Sequence, residues 1–105
     1  MFSVSWVSWY AKLAASDPSQ VVRLYIASAL LRIEPGRRWP VLAGLLSHPE
    51  DAKDHNLPLL YWYATEGSVS ADPVRGLGIL KETKIPKVRE FIARRLAGAK
   101  AVASN

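Results

Sequence analysis

An acidic loop near the middle of the chain holds the residue types that bind metal ions. The stretch HPEDAKDHN contains two histidines and three carboxylates: His48, Glu50, Asp51, Asp54 and His55. Its histidines are seven residues apart, whereas a helical zinc pair needs a spacing of four and a calcium loop needs the order D-x-D-x-D-G. Asp54, His55 and Asn56 also stand before Leu57-Pro58, where residues cap a helix start. The sequence therefore favours a helix cap over a metal site, and we predict no bound metal.

A pair of carboxylates further along suggests a second kind of chemistry. Glu66 and Asp72 lie six residues apart, close to Trp62, and this set would suit a hydrolase or glycosylase site. Asp72, however, directly precedes Pro73, as expected for a residue that caps a helix. No glycine-rich phosphate loop and no Ser-His-acid arrangement accompanies them. The sequence predicts no catalytic residue, and the chain is not expected to be an enzyme.

Positive charge is concentrated in the last third of the chain. The net charge is +5, and residues 75–105 hold eight of the 14 basic residues but only two acidic ones. Lys84, Lys87, Arg94 and Arg95 form the densest part of this set. Such a cluster either binds a polyanion such as nucleic acid or simply keeps the last helix solvated. Nucleic-acid binding is therefore kept as the alternative function.

Composition excludes several classes of site. The chain has 105 residues and no cysteine, which removes disulfides, thiolate zinc sites, a cysteine nucleophile and covalent c-type haem. No cofactor is predicted. The opening MFSVSWVSWYAKLAAS lacks the basic start of a signal peptide, and no run reaches the roughly 20 apolar residues that span a bilayer. We expect no membrane insertion.

Prolines and capping residues divide the chain into six short helices, so the predicted fold class is all-α. Apolar residues recur at helical spacing throughout, and no stretch alternates as a strand does. Ser16 or Asp17 is predicted to cap the second helix, with Pro18 in its first turn. The predicted ranges are about Phe2–Ala14, Pro18–Ile33, Arg38–Ser47, Pro58–Glu66, Pro73–Thr83 and Pro86–Gly98.

One helical pattern occurs twice. VRLYIASAL at Val22–Leu30 and VREFIARRL at Val88–Leu96 share the form V-R-x-aromatic-I-A-x-x-L, and a weaker copy, LLYWYATEG, lies at Leu59–Gly67. Self-similarity at this scale predicts a solenoid of about three helical hairpins. The units are predicted at about 1–34, 35–67 and 68–99, with a tail at 100–105, in a single domain.

The string D-x(4)-V-R-x(3)-A-x(2)-L, here starting at Asp17, resembles the second helix of a HEAT repeat. In that family an Asp and an Arg hydrogen-bond between adjacent repeats. The resemblance implies a structural ladder of Asp17, Arg23, Asp54 and Arg89. The pattern is incomplete, because Leu60 stands where the middle unit needs its Arg and Thr83 where the third unit needs its Asp.

Three longer phrases, DPSQVVRLYIASAL, DHNLPLLYWY and KIPKVREFIARRLA, are similar to the HEAT-like region of large exported proteins of planctomycete and verrucomicrobial type. Those proteins are described as membrane-bound dehydrogenases with a c-type haem-binding domain. The resemblance implies a shared helical architecture and an exported parent protein. It implies no active site here, because a propeller and a C-x-x-C-H motif carry the redox chemistry in that family.

These observations together predict a non-catalytic helical-repeat scaffold or protein-interaction segment. Its expected partners are another protein or neighbouring domains of a larger chain, and the open ends of a solenoid also allow self-association. Most aromatic residues are expected in the core, but Trp6 or Trp9, on the first helix, is predicted to be partly exposed or else covered by preceding repeats of a parent chain. The predicted interaction surface consists of Trp6, Trp9, Lys84, Lys87, Arg94 and Arg95.

Overall fold

The all-α prediction is confirmed by a computed structural model, which describes the backbone of residues 2–104 and the side chains of residues 7–98. Within that range the regular elements are six α-helices and two short 3-10 turns, at Pro35–Arg37 and Pro49–Lys53. The helices are α1 (Phe2–Ser16), α2 (Gln20–Leu30), α3 (Trp39–Leu45), α4 (Leu57–Ala71), α5 (Pro73–Glu82) and α6 (Pro86–Ser104).

The start of α2 differs from the prediction by a few residues. α1 continues to Ser16, and Ser19 caps α2 by accepting a hydrogen bond from the Val22 amide at 3.3 Å. Asp17 instead braces the turn, since its carboxylate accepts from the Ser19 amide at 2.8 Å. The predicted cap at Ser16 or Asp17 is therefore wrong, and Pro18 lies in the turn before the helix.

Helix α4 is longer than predicted and lies at the centre of the fold. The sequence predicts that it ends near Glu66, and the next four residues, Gly67 to Ser70, have weak intrinsic helix propensity. The helix continues to Ala71 because its last turns are packed: Ser68 and Val69 are buried, and the Ser68 hydroxyl donates to the Pro35 carbonyl at 2.7 Å. Tertiary contacts here override local propensity.

The core forms where α4 meets its neighbours. α4 packs against α2, α3, α5 and α6, while α1 packs against α2 and α3. Fully buried aliphatic side chains come from α2, α3, α4 and α6: Leu30, Leu42, Leu45, Leu57, Val69, Val88 and Ile92. A backbone hydrogen bond from the Lys84 amide to the Leu46 carbonyl, at 2.9 Å, also joins the α5–α6 turn to the end of α3.

A glycine controls how closely α1 and α3 approach. A Cβ added at Gly44 would lie 2.9 Å from both the Ala14 Cβ and the Ala15 backbone nitrogen. Because one of these neighbours is backbone, it cannot move aside as a flexible side-chain end can. The close α1–α3 contact therefore requires glycine at position 44.

We predict that Gly44→Ala lowers the free energy of unfolding by about 1–3 kcal/mol, because the added methyl overpacks this contact. Gly78→Ala is the matched control, since a Cβ at this helical position meets nothing within 4 Å. The control should instead gain about 0.5–1 kcal/mol from reduced backbone entropy in the unfolded chain. Urea unfolding of both variants measures the difference. Equal effects would contradict the proposed close contact.

Candidate functional site

Arg23, in the first turn of α2, is a buried charged residue. Helical periodicity places it on the same face as Ile26, Ala27 and Leu30, all of which pack into the core. The side chain of Arg23 is 0% exposed. A guanidinium in this position needs a buried anionic partner, because an unpaired buried charge is strongly destabilising.

That partner is Asp51, in the 3-10 turn at Pro49–Lys53. Pro49 occupies the first turn, and the Asp51 amide donates to the His48 carbonyl at 3.2 Å. The tight turn directs the Asp51 carboxylate inward, where it is 0% exposed. The acidic loop therefore contributes one carboxylate to the core.

Arg23 and Asp51 form a bidentate pair. Nε of Arg23 donates to Oδ2 of Asp51 at 2.7 Å, and Nη2 donates to Oδ1 at 2.7 Å. Nη1 of Arg23 donates to the backbone carbonyl of Asp17 at 2.7 Å. Two parallel hydrogen bonds between a guanidinium and a carboxylate combine strength with a fixed geometry. The pair thus fixes the turn at Pro49–Lys53 against α2.

Two further donors complete the coordination of Asp51. The Tyr61 hydroxyl on α4, which is fully buried, donates to Oδ2 at 2.6 Å, and the Gln20 amide donates to Oδ1 at 3.1 Å. Three segments that are distant in sequence therefore meet at one carboxylate. We call Gln20, Arg23, Asp51 and Tyr61 the Asp51 network.

Burial and hydrogen bonding fix the protonation states of the groups in the Asp51 network. Burial alone would raise the pKa of Asp51, but hydrogen bonds from Arg23, Tyr61 and Gln20 outweigh it and hold the pKa below its ordinary value. The hydrogen bond to Asp51 raises the pKa of Arg23. Burial, followed by the hydrogen bond to Asp51, raises the pKa of Tyr61. Asp51 is therefore a carboxylate, Arg23 a cation and Tyr61 a neutral donor at physiological pH.

The Asp51 oxygens and the Arg23 nitrogens are all engaged in hydrogen bonds within the protein. Each Asp51 oxygen accepts two hydrogen bonds, and all three Arg23 nitrogens donate. Among the described side chains no buried nitrogen or oxygen is left without a hydrogen-bond partner. A general base or nucleophile must reach its substrate, and these atoms are both buried and already engaged. The arrangement is suited to positioning helices.

The side chains of the predicted ladder residues, Asp17, Arg23, Asp54 and Arg89, do not pair carboxylate to guanidinium. The carboxylate bound to Arg23 belongs to Asp51, while Asp17 meets Arg23 only through its backbone carbonyl. Asp54 lies two residues before Asn56, the N-cap of α4, and its carboxylate accepts from the amides of Asn56 and Leu57 at 2.9 Å each. These backbone hydrogen bonds lower the pKa of Asp54.

Arg89 repeats part of the Arg23 arrangement. Its Nη1 reaches the Thr83 carbonyl at 3.5 Å, as Nη1 of Arg23 reaches the Asp17 carbonyl. In both copies the Arg binds the carbonyl of the residue six positions before it. The repeated Arg therefore ties its helix to the preceding turn, and only the first copy adds a buried carboxylate.

The loop histidines and acids are not gathered around a common point. Within the described residues, no group of three or more histidine, cysteine or acidic side chains has a geometry that would hold a metal ion. His48 Nε2 lies 2.6 Å from the Ala14 carbonyl, and Nδ1 lies 3.1 Å from Oε2 of Glu50. His48 therefore joins the loop to the end of α1.

The residues of the second candidate site, Glu66, Asp72 and Trp62, each contact a different partner. Asp72 caps α5 as predicted, accepting from the Arg75 amide at 3.2 Å. Glu66 forms an ion pair with Arg95, and Trp62 stacks on Phe91 with ring centroids 5.5 Å apart. These residues hold α4 against α6 and cap a helix.

Of the residues in the predicted interaction surface, two arginines form ion pairs and two lysines are exposed. Arg94 pairs with Glu90 at 2.6 Å and Arg95 pairs with Glu66, whereas Lys84 and Lys87 are exposed. Trp9 is 57% exposed, in agreement with the prediction for the first helix. The side chain of Trp6 lies outside the described residues.

Sequence reasoning missed the roles of Asp51, Tyr61 and Arg38. Asp51 is one of three similar acids in its loop, and Tyr61 is one of several aromatics on α4, so neither stands out by type. Arg38 is also buried, donating to the carbonyls of Ile33 at 2.8 Å and Ala64 at 2.9 Å, and burial lowers its pKa. The available signal was helical periodicity, which puts Arg23 on the same side of α2 as Ile26 and Leu30.

Comparison of the chain with protein-family models, with curated proteins and with solved structures gives no match. Its function is therefore argued from its own geometry.

We predict that Arg23→Met lowers the free energy of unfolding by about 3–5 kcal/mol, because Asp51 loses its buried counter-charge. Arg94→Ala is the matched control, since it breaks an exposed pair with Glu90 that contributes less than about 1 kcal/mol. Chemical denaturation of both variants provides the comparison. Similar small losses in both would show that Arg23 is not the buried partner described here.

Stability should also depend on pH through Asp51. Since its folded pKa is depressed, the network contributes fully above the unfolded pKa and is lost as pH falls through the lower, folded value. In that acid range the unfolding free energy of the native chain therefore rises with pH. Asp51→Asn should reduce this slope while lowering stability overall. An unchanged slope between about pH 5 and pH 2, measured by urea unfolding, would contradict the assignment.

Proposed function

We propose that this chain is a non-catalytic segment of a HEAT-like helical-repeat scaffold, which presents its surfaces to another protein or a neighbouring domain. The observation that carries the proposal is the order in which helices pack. Alternate helices pack in three cases, α1 with α3, α2 with α4 and α4 with α6, and the two helices of each predicted hairpin also pack, α1 with α2, α3 with α4 and α5 with α6. Helical hairpins stacked in register produce this pattern.

The dimensions support the same arrangement. The molecule measures 43 × 36 × 20 Å. An α-helix with its side chains is about 10–12 Å across, so the shortest dimension accommodates two layers of helices. In a two-layer stack α1, α3 and α5 form one layer, while α2, α4 and α6 form the other.

Equivalent positions of the repeat support it further. Ile26 and Ile92 occupy the same column of the sequence pattern, and both are buried, at 3% and 0% exposure. Arg23 and Arg89 likewise share a column and bind equivalent carbonyls. Similar residues with similar contacts are expected when one structural unit is repeated.

The placement of charge favours a scaffold over an enzyme. The buried ionic groups are used between helices, whereas several large apolar side chains lie on the surface of α2, including Val21, Leu24 and Tyr25. Exposed apolar groups at helical spacing are typical of surfaces that contact other proteins. Among the described residues no helix is long and apolar enough to cross a bilayer.

The alternative is a basic HEAT-like module that binds nucleic acid, such as a glycosylase-like domain. Lys87, Lys53 and His55 line an open cavity of about 450 Å³. Arg94 and Arg95, however, already carry carboxylate partners, which leaves fewer cations for phosphates. This alternative requires duplex or single-stranded DNA binding that falls steeply as salt is raised.

We propose further that the scaffold is part of, or is related to, a larger exported redox protein. Only the sequence similarity of those phrases supports this part of the proposal. The coding sequence that flanks the segment in its genome tests it. A propeller before the repeats and a C-x-x-C-H domain after them would support it, and an unrelated neighbour would overturn it.

A stack of repeats predicts that a destabilising substitution lowers amide protection mainly in the repeat unit that contains it. Ile26→Val and Ile92→Val form a matched pair in the first and last units, each costing about 0.5–1.5 kcal/mol. Because repeat units contact only their neighbours, Ile26→Val should mainly lower amide protection in α1 and α2, and Ile92→Val in α5 and α6. Native-state hydrogen exchange followed by mass spectrometry measures both. Uniform loss of protection in both variants would contradict a repeat stack.

A further inference from the structure

The three copies of the repeated pattern share an alanine that is covered in two copies and open in the third. This alanine is the sixth residue of each copy: Ala27 on α2, Ala64 on α4 and Ala93 on α6. Ala27 and Ala64 are 0% exposed, whereas Ala93 is exposed. α2 packs against α4, and α4 packs against α6, so neighbouring helices enclose the first two copies. The side of α6 that holds Ala93 has no such neighbour among the described residues.

The repeated arginine shows the same difference between the first and last copies. Arg23 is 0% exposed, and its Nε and Nη2 bind the two carboxylate oxygens of Asp51. Arg89 is exposed, and it donates through Nη1 to the Thr83 carbonyl at 3.5 Å. Its Nε and Nη2 have no hydrogen-bond partner in the part of the chain that the structure describes. We call Arg89, Ala93 and Ala97, which recur at intervals of four, the Arg89 face.

The Arg89 face points away from the other helices. On one side of α6, Phe91 stacks on Trp62 of α4 with ring centroids 5.5 Å apart. On another side, Leu96 lies beside Gly76 of α5, where an added Cβ would be 3.4 Å from Cδ2 of the leucine. Residues four apart share a side of a helix, so the Arg89 face forms a third side. In α2 the equivalent side faces α4 and the turn that holds Asp51.

We propose that the Arg89 face binds a helical hairpin of a partner protein, whose inter-helix turn places one carboxylate against Arg89. The hairpin α3–α4 identifies this occupant, because it covers the equivalent side of α2 and brings Asp51 to Arg23. A second copy of this chain does not supply the same group, since its Asp51 is 0% exposed and bound to its own Arg23. The inference rests on the proposed scaffold function and adds the chemistry of the partner.

Charge favours a partner that brings a carboxylate. Residues 75–105 carry eight basic and two acidic side chains, so this end of the chain attracts an acidic turn. Glu90, the acidic residue next to Arg89, is paired with Arg94 at 2.6 Å. A hairpin without an acid would cover Arg89 and leave its charge buried and unpaired, which is strongly destabilising. The partner must therefore neutralise this arginine when it binds.

Fusion of the chain's own α3–α4 hairpin to the full chain tests the face. The probe is a second copy of residues 35–71, joined after Asn105 by a glycine-serine linker of about 20 residues, which spans roughly 25 Å. The linker makes docking intramolecular, so a low affinity is still detected. Hydrogen exchange of the amides at 86–98, followed by mass spectrometry, should slow by about tenfold or more relative to the native chain, because docking holds α6 in place.

Substitutions on α6 show whether the hairpin docks through the Arg89 face. Arg89→Met in the fusion should return exchange at 86–98 to the native rate, because the appended Asp51 then has no counter-charge. Ala93→Leu should do the same by steric overlap. Arg94→Met is the matched control, since Arg94 is an exposed arginine of α6 that pairs with Glu90 away from the face, and it should leave the slowing intact. Without the fusion, all three variants should unfold at the native urea midpoint.

A paired substitution tests the contact itself. Arg89→Met combined with Asp51→Leu in the appended copy should restore slow exchange, because neither charge is then left alone. Exchange at 86–98 that is equal in the fusion and the native chain overturns the proposal, as do equal effects of Arg89→Met and Arg94→Met. Self-association of the native chain that Arg89→Met abolishes also overturns it, in favour of a second copy. The Ile26→Val and Ile92→Val comparison tests the repeat stack without the fusion, so the two proposals fail separately.

Discussion

The structure depends on one buried charge that must be neutralised. Arg23 lies on the core side of α2, so this helix packs only if a carboxylate reaches it inside the protein. Asp51 meets that need from a 3-10 turn, and Tyr61 and Gln20 hold the carboxylate in place. The network therefore fixes the relative positions of α2, the turn and α4, around which the remaining helices pack.

The same constraint explains where function is expected. Each oxygen of the Asp51 carboxylate already accepts two hydrogen bonds, and each nitrogen of the buried Arg23 guanidinium donates one, so this pair is suited to holding the helices in place. The features that can recognise a partner lie outside it. The outer face of α2 is apolar and uncharged, whereas exposed lysines and arginines line α6 and the turn before it. The surfaces of α2 and α6 thus differ in charge.

Much of the fold could be predicted from the sequence, but the network could not. Prolines and capping residues such as Asp72 are local signals, so they revealed all six helices and most of their starts. The end of α4 was missed because Ser68 and Val69 are stabilised by contacts with distant residues. Asp51 was missed for a similar reason: its pairing with Arg23 spans 28 residues, and nothing local distinguishes it from Glu50 or Asp54.

The central claim is that the Arg23–Asp51 pair is structural, and a double-mutant cycle tests it most directly. The account predicts that Arg23→Met combined with Asp51→Leu is more stable than either single variant, because neither charge is then left buried alone. Urea unfolding of the native chain, the two single variants and the double variant gives the coupling energy. Losses that simply add in the double variant would contradict the claim, since they would show that the two side chains act independently.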